Sequence, residues 1–97
     1  MRITIIGGRN LGCTIAEGIL STKSNNFDIT ITRRNIQPIK YLNNYNKINI
    51  TSENKAAISD ADYVLLAIKP YQIQSVLNEI KPILNGEKHK IMSVVSG

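Results

Sequence analysis

Gly7 and Gly12, the arginine pair Arg33–Arg34, and the pairs Lys69–Pro70 and Ser96–Gly97 have types and spacing suited to chemistry. That chemistry is the holding of phosphate and of what phosphate carries. Residues 3–12 read Ile-Thr-Ile-Ile-Gly-Gly-Arg-Asn-Leu-Gly, an apolar strand that runs into a glycine-rich turn. Leu11, Ile15 and Ile19 then recur at helical spacing. Strand, glycine turn and helix in this order form the first half of a dinucleotide-binding unit, in which N–H groups at the helix N-terminus hold a pyrophosphate. The first glycine permits the tight turn and the last lets helix and strand pack closely. The candidate pyrophosphate segment is therefore Ile6, Gly7, Gly8, Arg9, Asn10, Leu11 and Gly12. Arg9 stands where the G-x-G-x-x-G fingerprint has glycine. Its side chain either obstructs the approach of backbone to phosphate or swings aside to pair with it, and the sequence leaves both open.

Arg33 and Arg34 follow the second strand, where a site for an unphosphorylated ribose places an acid. No Asp or Glu occurs from Ile29 to Ser52. Two guanidinium groups in place of that acid suit a 2′-phosphate, which they grip in two-pronged fashion. Ala67, Ile68, Lys69 and Pro70 end the fourth strand at the carboxyl edge, where open α/β sheets bind ligands. Ser96 and Gly97 end the fifth at the same edge. His89 falls in a polar turn, Asn85 to Lys90, and is expected at the surface of the opposite edge. Cys13 reads as a small helix residue beside the glycine loop rather than as a nucleophile. The sequence assigns no catalytic residue and no metal ligand set.

The elements that must position these groups alternate between strand and helix. Strands are expected at 2–6, 28–32, around Ile48 and Ile50, at 63–68 and at 90–95. Helices are expected at 11–21, from Pro38 with Ile39, Leu42 and Tyr45 inward, briefly within Ser52–Ser59, and at 71–84, where Pro82 should kink or end the last one. The continuous apolar run Tyr63–Ile68 suits a central strand covered on both faces. The fold class is α/β: a Rossmann-like, doubly wound, mostly parallel sheet of about five strands with the first strand central.

The 97 residues amount to one domain. A chain of this size buries only roughly 60 to 65% of its unfolded surface, so modest stability is expected. The single cysteine excludes an internal disulfide framework and fits a reducing, cytoplasmic setting. No apolar run approaches the length of a membrane span, and Met1-Arg2-Ile3 leads straight into a strand. The net charge of +5 is scattered, and four Tyr and one Phe show no stacking pattern, so neither nucleic acid nor a membrane is expected as a partner. Attraction for a polyanionic small molecule is compatible with that charge.

Together these segments resemble the N-terminal domain of pyrroline-5-carboxylate reductases, shared with deazaflavin-dependent NADP oxidoreductases, over the whole chain. The family loop Gly-Ala-Gly-Asn-Met-Gly is matched by Gly7, Asn10 and Gly12, with Leu11 in place of methionine. The family arginine associated with NADP preference falls on Arg34, with Arg33 beside it. The family asparagine that contacts ribose resembles Asn54. The family's Ala-Val-Lys-Pro becomes Ala67, Ile68, Lys69 and Pro70, and its Ser-x-x-Ala-Gly resembles Ser93 through Gly97.

The resemblance implies NADP(H) in preference to NAD(H), and hydride transfer to the C=N bond of 1-pyrroline-5-carboxylate, giving proline. It implies that Lys69, Pro70, Ser96 and Gly97 frame the nicotinamide end. It also implies homo-oligomers built through a helical C-terminal domain that has no counterpart in these 97 residues, so that this chain alone would be inactive. Two rivals stand beside it: a related imine or deazaflavin-dependent NADP reductase, and a degenerate, non-enzymatic Rossmann module that has lost its cofactor through Arg9.

Overall fold

The computed structural model describes residues 1–7, 10–21, 27–44 and 48–93. Five strands, β1 (Arg2–Ile6), β2 (Asp28–Thr32), β3 (Ile48–Thr51), β4 (Tyr63–Leu66) and β5 (Lys90–Ser93), form one sheet in the order β3-β2-β1-β4-β5. Every pairing is parallel, and β1 is central. The helices are α1 (Asn10–Leu20), α2 (Asn54–Ser59) and α3 (Pro70–Ile80), with a 3-10 helix at Gln37–Asn44.

Alternation along the strands sends side chains to two separate cores. Ile3 and Ile5 of β1, Ile29 and Ile31 of β2 and Leu65 of β4 pack with Ala16, Ile39 and Leu42 on one face. Ile6, Val64 and Leu66 pack with Ile58 and Ile80 on the other. Helices thus cover both faces, and each fully buried Ile or Leu contributes about 1.5–3 kcal/mol relative to exposure. Thr4, on the second face, is buried and satisfied: its hydroxyl donates to the Ala57 carbonyl at 2.6 Å, tying β1 to α2.

On α1 the inward face is centred on the buried Gly12 and Ala16, with Cys13, Ile15, Ile19 and Leu20 flanking; Leu11 is half-buried. The segment from Pro38 is a 3-10 helix rather than an α-helix. Ile36, Ile39 and Leu42 recur every three residues and all pack on the first core, the spacing that three residues per turn place in line. The expected inward Tyr45 lies outside the described residues. Helix α3 ends at Ile80, two residues before Pro82, which has no N–H to continue the ladder. Its stripe of Ile73, Val76, Leu77 and Ile80 meets the second core as the spacing requires.

Two expectations are corrected. The last strand reads as core, but all four residues of β5 are exposed. His89 reads as a surface residue but is buried. The turn folds its ring inward: the Asn85 N–H donates to His89 Nδ1 at 2.9 Å, and the His89 N–H donates to the Asn85 carbonyl at 2.8 Å. The residue does sit at the amino edge, immediately before β5.

Candidate functional site

The carboxyl ends of the strands are knitted together by backbone. The Gly7 N–H donates to the Thr32 carbonyl at 3.0 Å, the Arg33 N–H to Thr51 at 3.1 Å, and the Ala67 N–H to Ile6 at 2.9 Å. The glycine turn, the arginine pair and the Ala67–Pro70 segment therefore meet on one edge. Gly7 has φ +105°, a left-handed conformation that side chains rarely adopt. A Cβ there would run into the Ala67 carbonyl and lie 2.7 Å from Ile68 Cγ2. At Gly12 a Cβ would strike the Gly7 carbonyl and lie 3.3 Å from Ile5 Cγ2. The two glycines do the two jobs the fingerprint assigns them: the tight turn, and the close seating of α1 on the sheet. Helix α1 carries no acid in its first turn, so nothing there neutralises the partial positive charge of its N-terminus.

Arg33 is half-buried and its backbone is fixed against β3, whereas Arg34 is exposed. The chain turns directly after them, with Asn35 Oδ1 accepting the Gln37 N–H at 3.1 Å. Lys69 is exposed at the N-cap of α3, and Pro70 takes the first helical position, where a missing N–H costs nothing. Gln72 holds that start in place. Its Oε1 accepts the Lys69 N–H at 3.0 Å while its own N–H donates to the Lys69 carbonyl at 2.9 Å. This positioning residue was not read from the sequence, although a glutamine three residues past the cap is the signature of such a box.

The structure turns Asn54 to a different partner. Its Nδ2 donates to Glu79 Oε1 at 3.0 Å, tying α2 to the far half of α3, so the amide expected at the ribose is engaged between helices. Gly8, Arg9, Ser96 and Gly97 lie outside the described residues, as does the side chain of Asn10. Ser93 ends β5 at the same carboxyl edge, in register with Leu66.

Away from this edge, the Tyr41 phenol donates to Glu17 Oε1 at 3.0 Å. That bond first, then burial and the neighbouring Cys13, push its pKa up to about 12, so the link from α1 to the 3-10 helix is intact at neutral pH. A hollow of about 380 Å³ under α2, lined by residues that include Arg2, Thr30, Asn49, Thr51 and Asp60, reaches the amino edge. Among the described residues no cluster of His, Cys, Asp and Glu could hold a metal ion, and no helix is long and apolar enough to cross a membrane.

Residues 2–96 match the family described as NADP oxidoreductase, coenzyme F420-dependent. The chain belongs to that family. Pyrroline-5-carboxylate reductase 2 of Dictyostelium discoideum, a similar curated protein, is 36% identical over 98 residues, covering 98% of this chain and 32% of its own length. A solved pyrroline-5-carboxylate reductase from Coxiella burnetii superposes with a TM-score of 0.86 at 32% identity, over 98% of this chain and 35% of that one. The Plasmodium falciparum pyrroline carboxylate reductase with NADP bound shares the fold, with a TM-score of 0.73 at 23% identity over 98% of this chain and 33% of that one. This oxidoreductase-family chain thus spans about a third of the length of these relatives.

Proposed function

We propose that residues 1–97 are a single cofactor domain that holds NADP(H) in preference to NAD(H), within a pyrroline-5-carboxylate reductase-like enzyme. The observation that carries this reading is the pair Gly7 and Gly12 locked beneath the N-terminus of α1, with Arg33 and Arg34 beside it on the same edge. The backbone from Ile6 to Gly12 holds the pyrophosphate. Arg33 and Arg34 grip the 2′-phosphate, Arg34 from solvent and Arg33 from its seat against β3. Asn54 reaches the ribose on letting go of Glu79. Ala67, Ile68, Lys69, Pro70, Ser96 and Gly97 frame the nicotinamide end.

When bound, the reduced cofactor supplies the hydride for a C=N bond, and these residues supply orientation. The substrate in the whole protein is 1-pyrroline-5-carboxylate or a related cyclic imine, enclosed by groups outside this domain. Assembly as a homo-oligomer through those same groups, and a cytoplasmic location, belong to the same reading. Calorimetric titration of the chain with NADP(H) and NAD(H) tests it. Tighter binding of NADP(H) is expected, and equal affinities would remove the role given to the arginines.

A further inference from the structure

The chain leaves β1 and β4 in opposite directions. The two strands are adjacent and parallel, yet α1 packs on the first core and α3 on the second. A sheet wound in this way opens a crevice outside the carboxyl ends of those strands, the place where open α/β sheets take their ligands. Its floor is closed: a Cβ on Gly7 would run into the Ala67 carbonyl and Ile68 Cγ2, so the two loops touch at their bases. Above that floor the lip on the β4 side is formed by Lys69 and Pro70, both exposed. Pro70 keeps Lys69 extended, at φ −72° and ψ 150°, but has no N–H with which to tie the lip to the helix. The half-buried Gln72 makes that tie. Its Oε1 accepts the Lys69 N–H at 3.0 Å, and its own N–H donates to the Lys69 carbonyl at 2.9 Å, so both backbone groups of Lys69 are held by one residue of α3.

We propose that Gln72 is a positioning residue for the cofactor: by fixing the Lys69 backbone it holds the β4 lip of this crevice against the nicotinamide end of the bound dinucleotide. The proposal rests on the NADP(H) reading above. Gln72 itself touches no part of the cofactor and acts only through Lys69 and Pro70. Its influence is confined to the nicotinamide end, because the phosphates are held on the other side of the crevice.

The test titrates the wild-type chain, Gln72→Ala and Gln72→Glu with NADPH and with 2′-phospho-ADP-ribose, which carries the same phosphates but lacks the nicotinamide. The readout is the ratio of the two affinities, in which any effect on the phosphates cancels. Loss of the bond to Lys69 should lower that ratio by about 2- to 10-fold in Gln72→Ala. Gln72→Glu keeps an acceptor at the same position and should restore the wild-type ratio. Loss of a helix cap lowers the melting temperature whether or not the residue serves the cofactor, so the melt serves only to verify that each variant is folded at the assay temperature. An unchanged ratio in Gln72→Ala, or an equal fall in Gln72→Glu, would overturn the proposal while leaving the NADP(H) reading intact. A wild-type chain that binds neither ligand would overturn that reading, and this assignment with it.

Discussion

Helix α1 contains two glycines, and replacing each with alanine should have opposite consequences. In helix interiors alanine is favoured over glycine by about 0.8–1.0 kcal/mol, and both variants collect that gain. At Gly18 nothing lies within 4 Å of the added Cβ, so the gain stands alone. At Gly12 the Cβ meets the Gly7 carbonyl, a backbone atom on a turn fixed by φ +105° and by the 3.0 Å bond from Gly7 to Thr32. No side chain can rotate out of the way, and α1 must lift from the sheet. Such overpacking costs about 1–3 kcal/mol, which cancels or exceeds the propensity gain.

For a domain of this size 1 kcal/mol moves the melting temperature by roughly 4–8 °C. Gly18→Ala should therefore melt about 3–8 °C above wild type, and Gly12→Ala at least about 4 °C below Gly18→Ala. Thermal melts followed by circular dichroism read both, with NADPH titration alongside to register the displaced helix end. A Gly12→Ala protein that gains as much as Gly18→Ala would refute the close seating of α1, and with it the reason given for that glycine.

Arg34→Ala should cost about 1.5–3 kcal/mol in NADP(H) affinity, the worth of a charge-assisted hydrogen bond, and leave NAD(H) nearly unchanged by calorimetry. Arg9→Gly should strengthen NADP(H) binding if the arginine obstructs the pyrophosphate, the outcome expected here because glycine in that turn meets a steric need; weaker binding with a flatter salt dependence would instead make Arg9 a phosphate ligand. In an ultraviolet phenolate titration Tyr41 should ionise near pH 12, and Glu17→Ala should return it toward 10. Because the raised pKa favours the protonated phenol in the folded chain, the stability it contributes is whole below about pH 10 and is lost as pH rises through about 12.

Much of this arrangement is legible in the residues themselves, for physical reasons that can be named. Ile3 and Ile5 alternate with Thr4 and Ile6, and the unbroken apolar run from Tyr63 marks a strand covered on both sides; these patterns survive folding because parallel strands with helical crossovers admit few other packings. The two glycines were legible because only a residue without a Cβ fits either place. What escaped the sequence depends on contacts between distant residues or on position in the sheet. The partner of Asn54 is Glu79, 25 residues away on another helix. His89 is buried by a hydrogen bond within a turn whose composition is that of a surface loop. Ile91 and Met92 look like core residues but are 42% and 51% exposed, since apolar type alone does not say whether another element packs over a strand.

The central claim is that the carboxyl edge of this sheet holds NADP(H), and backbone amide chemical-shift mapping during an NADPH titration tests it most directly. The account predicts shifts at Gly7 and Gly12, at Arg33 to Asn35 and at Lys69 to Gln72. It predicts a further response at Asn54 and Glu79 as their hydrogen bond opens, and silence at the amino edge around Asp28, Asp62 and His89. Shifts centred on Arg2, Thr30 and Asn49 in the hollow under α2, or no shifts at saturating NADPH, would contradict it.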